Sequence, residues 1–289
     1  MISLIKLLSK KATLPAWYLN RTDNRSNANA RNNLDNDNGR FVEYLSLLQG
    51  FYKMYDEICS FKNILLAFKK AKKGKNKKRY VKRFRKNIER NITKLGEELS
   101  FQTYSPCDLK RKIIWDPKIR KISISAFRDR VVHHALCNVI SPIFEKNFIH
   151  DSHANQIGKG TFKAIERFDY FKRKVSRNNT RTCFVFKADI KHYFEEIDHN
   201  ILFEIIQRKI KDEKTLWLIN QIIRHKVELR ERRTLSLNYK GMPLGNLTSQ
   251  FFANVYLNEL DQFVKHELKA KHYIRYDEIA CVLASIKKR

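Results

Sequence analysis

The run KADIKHYF, residues 187–194, holds the residue whose type and setting best fit chemistry. The apolar segment CFVFKADI, residues 183–190, reads as a short strand that delivers Asp189 to its carboxyl end. Strand ends are where mixed sheets present ligand-binding groups. A carboxylate there can hold a hard cation such as Mg2+, which takes oxygen ligands, and the Ile190 carbonyl is a second donor. The bland alternative is an aspartate that caps the helix after the strand. Further on, GMPLGNLTSQFFANVYLNELD, residues 241–261, is a glycine-and-proline turn entering a helix of small, polar and aromatic residues. Glycine there lets another backbone, or a nucleotide, approach closely; the alternative is a loop with an ordinary helix start.

The elements around these residues alternate. Residues 129–145, 162–177, 199–211 and 214–225 read as helices, and Thr248 to Leu268 as a long amphipathic one. RTLSLNY (233–239) and HYIRY (272–276) read as strands. Helices interleaved with strands indicate an α+β or α/β domain, and α+β is the class expected here. Before them, Tyr44, Leu47, Leu48, Phe51 and Tyr55, then Ile58, Phe61, Leu65 and Phe68, recur at helical steps. Residues 20–38 stand apart: Asn fills eight of the nineteen positions, so too little apolar surface is available to offset chain entropy, and disorder is expected.

Charge narrows the partner. Lys and Arg number 59 against 30 acidic residues, a net +29. A surplus of that size repels itself unless a polyanion is near, so nucleic acid is the expected partner. Residues 69–86 carry twelve of the cations, among them Lys72, Lys73, Lys77 and Lys78. This stretch is either a solvated linker or a stripe that tracks a phosphate backbone, with Tyr80 and Phe84 stacking or packing beside it. No apolar run approaches the ~20 residues of a membrane span, so no membrane partner is expected. Met1 to Leu8 is interrupted by Lys6 and lacks a small-residue cleavage site, which argues against a signal peptide. The cysteines at 59, 107, 137, 183 and 281 are scattered, as suits free thiols in the cytoplasm.

In their order, KADIKHYF and GMPLGNLTSQ resemble the first two palm motifs of reverse transcriptases, RNA-directed DNA polymerases. Upstream, DPKIRKISISAFRDRVVHHAL (116–136) and NQIGKGTFKAIERF (155–168) resemble fingers blocks of the group II intron, retron and diversity-generating retroelement branch. The resemblance runs over about residues 50–276. It implies a right-hand polymerase with fingers and a partial palm. The divisions are 1–40 Asn-rich, 41–100 basic and helical, 101–180 fingers and 181–289 palm. Asp189 matches the metal-binding aspartate, and Phe194 the aromatic gate against a ribose 2′-hydroxyl. Lys118 and Arg120 match basic residues near the incoming triphosphate, Gly245 and Gln250 line the base-pair pocket, and Arg128 and Arg130 are expected on nucleic acid. Mg2+, an RNA template, a DNA primer, deoxynucleoside triphosphates and an accessory protein of the retroelement are the implied cofactor and partners. Leu244 and Gln250 replace the Gln and Pro of many relatives, as in diversity-generating enzymes. On that reading residues 1–40 are either a translated template repeat or an ordinary tail.

The third palm motif departs from the family. KHYIRY, residues 271–276, leads toward Tyr-x-Asp-Asp, yet Asp277-Glu278-Ile279 follows. One residue is missing and the second aspartate is a glutamate. Because side chains alternate along a strand, a one-residue deletion turns each following group to the other face. Asp277 and Glu278 are therefore the remaining catalytic candidates, expected out of register, with Asp277 also the second metal ligand. The rest of the palm, the primer grip and the thumb are expected to be missing. Two functions compete: a weakly active or inactive RNA-directed DNA polymerase, and a non-catalytic RNA-binding remnant. An unrelated basic scaffold fits the motif order poorly. His133 and His134 are expected to pack or meet phosphate. His150, Asp151 and His153 are expected to serve a loop or cap, with a metal cluster the lesser alternative, and Glu195 and Glu196 a helix start.

Overall fold

The chain is described by a computed structural model over residues 54–115, 119–225 and 240–284. These residues belong to one unit, Gly50–Arg289. The expectations for residues 1–40, for Lys118 and for a strand at 233–239 lie outside the described residues.

Helix α1 (Phe61–Ala71) starts at Ser60, whose side chain accepts from the Asn63 amide. Helix α2 (Arg79–Lys86) follows a lysine-rich turn, and α3 (Ile88–Ser100) buries Ile92, Leu95 and Leu99. Strands β1 (Lys110–Ile114) and β2 (Arg120–Ile124) form an antiparallel hairpin, Lys110 opposite Ile124 and Ile114 opposite Arg120. The sequence reading did not find this hairpin, because β1 is exposed along its whole length and lacks the buried alternation that marks a strand. Helix α4 (Phe127–Glu145) is buried by Val131, Val132, Leu136 and Ile140, and packs against α1, α2 and, later in the chain, the helix that follows the glycine turn. Each such side chain, fully buried, contributes roughly 1.5–3 kcal/mol.

Helix α5 (Thr161–Ser176) precedes β3 (Phe184–Asp189). A single turn, α6 (Tyr193–Glu196), leads to α7 (His199–Lys209) and α8 (Glu213–Arg224). Both longer helices start at aspartates that do cap: Asp198 accepts from the Asn200 and Ile201 amides, and Asp212 from Lys214, each worth ~1 kcal/mol. Asp189 is not needed for capping here, since His192 precedes α6 and makes no cap bond. Glu195 and Glu196 fill the first turn of α6, as the sequence led us to expect.

Helix α9 (Leu247–Gln262) is shorter than expected, because a π-helical turn, Phe263–Glu267, replaces its last residues. Strands β4 (Tyr273–Tyr276) and β5 (Ile279–Ala284) form a tight hairpin, and the sheet order is β3-β5-β4, all antiparallel. Alternation splits β4 between two small cores. Ile274 meets Ala164, Phe171 and Val175 of α5 on one side, and Tyr273 meets Ile149 and Val264 on the other. Among the described residues no helix is long and apolar enough to cross a membrane.

Candidate active site

The sheet register brings the two acidic positions to one end. Asp189, the last residue of β3, stands opposite Ile279, and Tyr276, the last residue of β4, stands opposite Ile279 from the other side. Asp189 therefore lies one strand spacing, ~5 Å, from Ile279, the residue after Glu278, and two spacings, ~10 Å, from Tyr276, the residue before Asp277. The turn has only these two residues. Asp277 closes it at φ 53, in the left-handed region that Asp tolerates better than most residues.

Asp189 and Ile190 are exposed. The turn faces a drier setting: Glu278 Oε2 is buried and has no hydrogen-bond partner. Nearby, the Tyr193 hydroxyl donates to Ala253 O at 2.7 Å. Burial raises the Tyr193 phenol well above its ordinary range, Arg275 opposes this, and Asp277 and Glu278 push the same way as burial. Hard carboxylate oxygens are the donors Mg2+ takes. Yet among the described residues no three His, Cys, Asp or Glu side chains converge as a metal site. The donor types fit; the arrangement of Asp189, Asp277 and Glu278 does not gather them.

The glycine turn is bound directly to the segment after Asp189. Met242 N donates to Phe194 O at 2.6 Å and Gly241 N to Ile197 O at 2.8 Å. A Cβ on Gly241 would come within 2.9 Å of Glu195 O. The His199 ring, through Nε2, lies 2.8 Å from Gly241 O. Phe194 is half-buried, its ring 5.4 Å from that of Tyr193. On its other side the turn holds β2: Ser123 N donates to Leu244 O at 2.9 Å, and Ser125 Oγ lies 2.7 Å from Asn246 Oδ1. Asn246 occupies the N-cap of α9 but makes no cap bond, because its side chain is used on Ser125. A Cβ on Gly245 would meet Ile122 Cγ2 at 2.6 Å and Ser123 O at 3.2 Å. The close approach expected at these glycines is therefore by backbone on both sides. Gln250 is exposed in the first turn of α9. Arg120 is the first residue of β2, opposite Ile114.

The arginines read as nucleic-acid contacts have protein partners. Arg128 pairs with Glu98 and lies over the Tyr104 ring. Arg130 donates to Ser125 O at 3.0 Å and lies over Tyr80. Lys72 sits over Phe68, while Lys73, Lys77 and Lys78 are exposed on the turn between α1 and α2. Phe84 packs, stacked 5.5 Å from Phe68. His133 is buried with Nδ1 unpartnered, and burial is the main cause that pulls its pKa down to about 3. Asp151 serves its loop: Arg167 Nε donates to it at 2.6 Å. Burial raises its carboxyl, but the hydrogen bonds from Arg167 and His150 outweigh that and lower it overall.

Sequence reasoning missed a buried ion pair near the site. Arg275, 1% exposed, is held by Asp261, 0% exposed, through Nε at 2.8 Å and Nη2 at 2.8 Å. The only sequence signal is that HYIRY puts a cation inside an apolar strand.

A strand-end carboxylate and an acidic hairpin turn thus stand at one end of the sheet, and the glycine turn is bound to the segment after Asp189 and to β2. The family model described as reverse transcriptase (RNA-dependent DNA polymerase) matches residues 110–289. The chain belongs to the reverse transcriptase family. It is 31% identical over 186 residues to the group II intron-encoded protein LtrA of Lactococcus lactis subsp. cremoris, covering 63% of this chain and 29% of that protein. It is 28% identical over 176 residues to protein YkfC of Escherichia coli K12, covering 60% of this chain and 45% of that one. The match thus takes in less than half the length of either relative. Among solved structures, a partial Cas6-RT-Cas1–Cas2 complex aligns with a TM-score of 0.44 at 18% identity, over 80% of this chain and 38% of that one.

Proposed function

We propose that this chain is the fingers and palm portion of an RNA-directed DNA polymerase of a bacterial retroelement. On this reading its own polymerisation is weak or absent. The observation that carries it is the placement of Asp189 beside a two-residue turn, Asp277-Glu278, that is one residue short of Tyr-x-Asp-Asp. The fingers occupy about 101–180 and the palm 181–289, after a basic helical region at 41–100. The natural ligands are an RNA template paired with a DNA primer, together with deoxynucleoside triphosphates. An accessory protein of the element and a cytoplasmic setting complete the reading.

Asp189, with the Ile190 carbonyl, is one half of a magnesium site; Asp277 and Glu278 are the other. On this reading Lys118 and Arg120 serve the triphosphate, Phe194 the sugar, and Gly245 and Gln250 the base pair. Leu244 and Gln250 favour the diversity-generating branch within the family, since both depart from the commoner Gln and Pro. Arg128 and Arg130 reach nucleic acid only if they leave Glu98 and Ser125, so Lys73, Lys77 and Lys78 carry more of the backbone contact.

Primer extension on an RNA template with Mg2+ tests the catalytic half. The expected result is little or no extension by the unmodified chain, with template–primer still bound. Robust extension that survives Asp189→Ala would show the site to be elsewhere. Absence of binding to any RNA or RNA–DNA duplex would remove the non-catalytic alternative, an RNA-binding remnant, as well.

A further inference from the structure

An arginine guanidinium has five N–H donors, and all five of Arg275 are used. Nε and one Nη2 hydrogen go to Asp261, at 2.8 Å each. The other Nη2 hydrogen goes to Ser152 Oγ at 3.0 Å. The two on Nη1 go to Asn254 Oδ1 and to the carbonyl of Asp277, both at 3.0 Å. The partners are themselves held. Tyr273 donates to Asp261 at 2.7 Å, and Asn254 Nδ2 donates to Ala154 O at 2.9 Å. The Arg275 backbone is bound as well, its N donating to Asp151 O and its O accepting from His153 N, each at 3.0 Å.

We propose that Arg275 is a positioning residue of the candidate active site: braced by Asp261 and Asn254 of α9 and by Ser152, it grips the Asp277 carbonyl and so sets where the turn's carboxylates stand. The contact is to the backbone of the turn, so it fixes the turn whichever acidic side chain the turn carries. Asp277 has φ 53, a conformation that costs free energy for any residue with a Cβ and persists only where surroundings over-determine it. The guanidinium supplies that constraint from inside the protein. Through α9 the same side chain links the turn to the helix that begins at Asn246, and so to the glycine turn. The catalytic meaning of this bracing rests on reading 276–279 as the second half of the polymerase site; the bracing itself does not.

Hydrogen–deuterium exchange on the full chain, followed peptide by peptide, tests it. Arg275→Lys keeps the charge but loses the fork that reaches Asp261 and Asp277 together. The amides of Glu278 and Ile279 should exchange about tenfold faster or more, while α1 and α4 keep their protection. Should Arg275→Lys fail to fold, the paired change Arg275→Met with Asp261→Leu carries the test. Removing both buried charges together spares the fold and still deletes the donor to Asp277. Unchanged turn exchange in a folded variant overturns the proposal, as does an increase spread evenly over the chain. A second readout separates the two ideas. Mn2+ retained by the chain, followed by its paramagnetic resonance signal, should weaken in Asp189→Asn if the polymerase reading holds. A turn loosened by Arg275→Lys with Mn2+ retention indifferent to Asp189→Asn keeps the positioning role and retires the catalytic reading.

Discussion

Leu244 accepts a hydrogen bond from the Ser123 amide at 2.9 Å, so the turn ahead of α9 and the β1–β2 hairpin meet backbone to backbone. The next residue, Gly245, has φ 103 and leaves no space for a side chain against Ile122 and Ser123.

Gly245→Ala should therefore destabilise the protein by two separate effects. The positive φ costs ~1–3 kcal/mol for a residue with a Cβ, and the Cβ must also displace β2. Gly74→Ala is the comparison, because Gly74 has φ 70 but nothing within 4 Å of its Cβ. Thermal melting of both variants should show the larger loss at 245. Equal losses would mean that the seam between the hairpin and the turn yields freely.

Binding to RNA or an RNA–DNA duplex should weaken steeply with salt. Each phosphate contact adds about 0.7–0.9 to the slope of log K against log salt. Replacing Lys72, Lys73, Lys77 and Lys78 with Gln should lower that slope, as read by fluorescence anisotropy over a KCl series. Arg128→Gln should change stability more than the slope, since its guanidinium is engaged by Glu98. A slope unaffected by the lysine changes would move the nucleic-acid surface away from the α1–α2 turn.

Rebuilding the third motif tests the register argument. One residue inserted between Tyr276 and Asp277, with Glu278→Asp, restores the Tyr-x-Asp-Asp pattern. Retention of Mn2+ should rise in the rebuilt chain and fall again when Asp189→Ala is added. A displacement of ~1 Å in a catalytic group can cost about a hundredfold in rate, so metal binding is the more sensitive first measurement. Unchanged retention would place the metal-binding carboxylates elsewhere.

Stability should fall on mild acidification. His133 is held at a pKa of about 3 against an ordinary 6.5, chiefly by burial, with His134, Arg130 and His225 adding repulsion. His134 is lowered to about 4, again chiefly by burial. Between pH 6.5 and these folded values the unfolded chain takes up protons that the native chain does not. Stability present above pH 6.5 is thus lost as pH drops through the window, by up to ~1.4 kcal/mol per pH unit for each fully affected group. Denaturant midpoints from pH 7.5 to 5 should show the fall, and His133→Leu should flatten it. A midpoint independent of pH would contradict the buried, neutral histidine.

The local parts of the site were legible in the chain. The short apolar run up to Asp189 marks a strand end, and the Gly-Met-Pro turn before a helical pattern marks the start of α9 within a residue. HYIRY marks β4, whereas the hairpin after it is expected only from the family resemblance, and its second strand, β5, is not read from the chain. These readings hold because they depend on neighbours a few residues apart, where backbone geometry and side-chain period decide the outcome. The order of these segments along the chain sufficed for the family as well.

What only the tertiary structure decided is which charges are buried and which stay free to act. Sequence puts Arg128 and Arg130 in a basic block and Arg275 in a strand, with no mark to tell them apart. Glu98 lies 30 residues from Arg128, and Ser152 lies 123 residues from Arg275. Pairings at such separations leave no periodic signal, because they form only when packed elements meet. An arginine can be buried only where every donor finds an acceptor. That requirement is met at Arg275 by α9, by the loop at Ser152 and by the turn at Asp277 together, and no single stretch of sequence contains it.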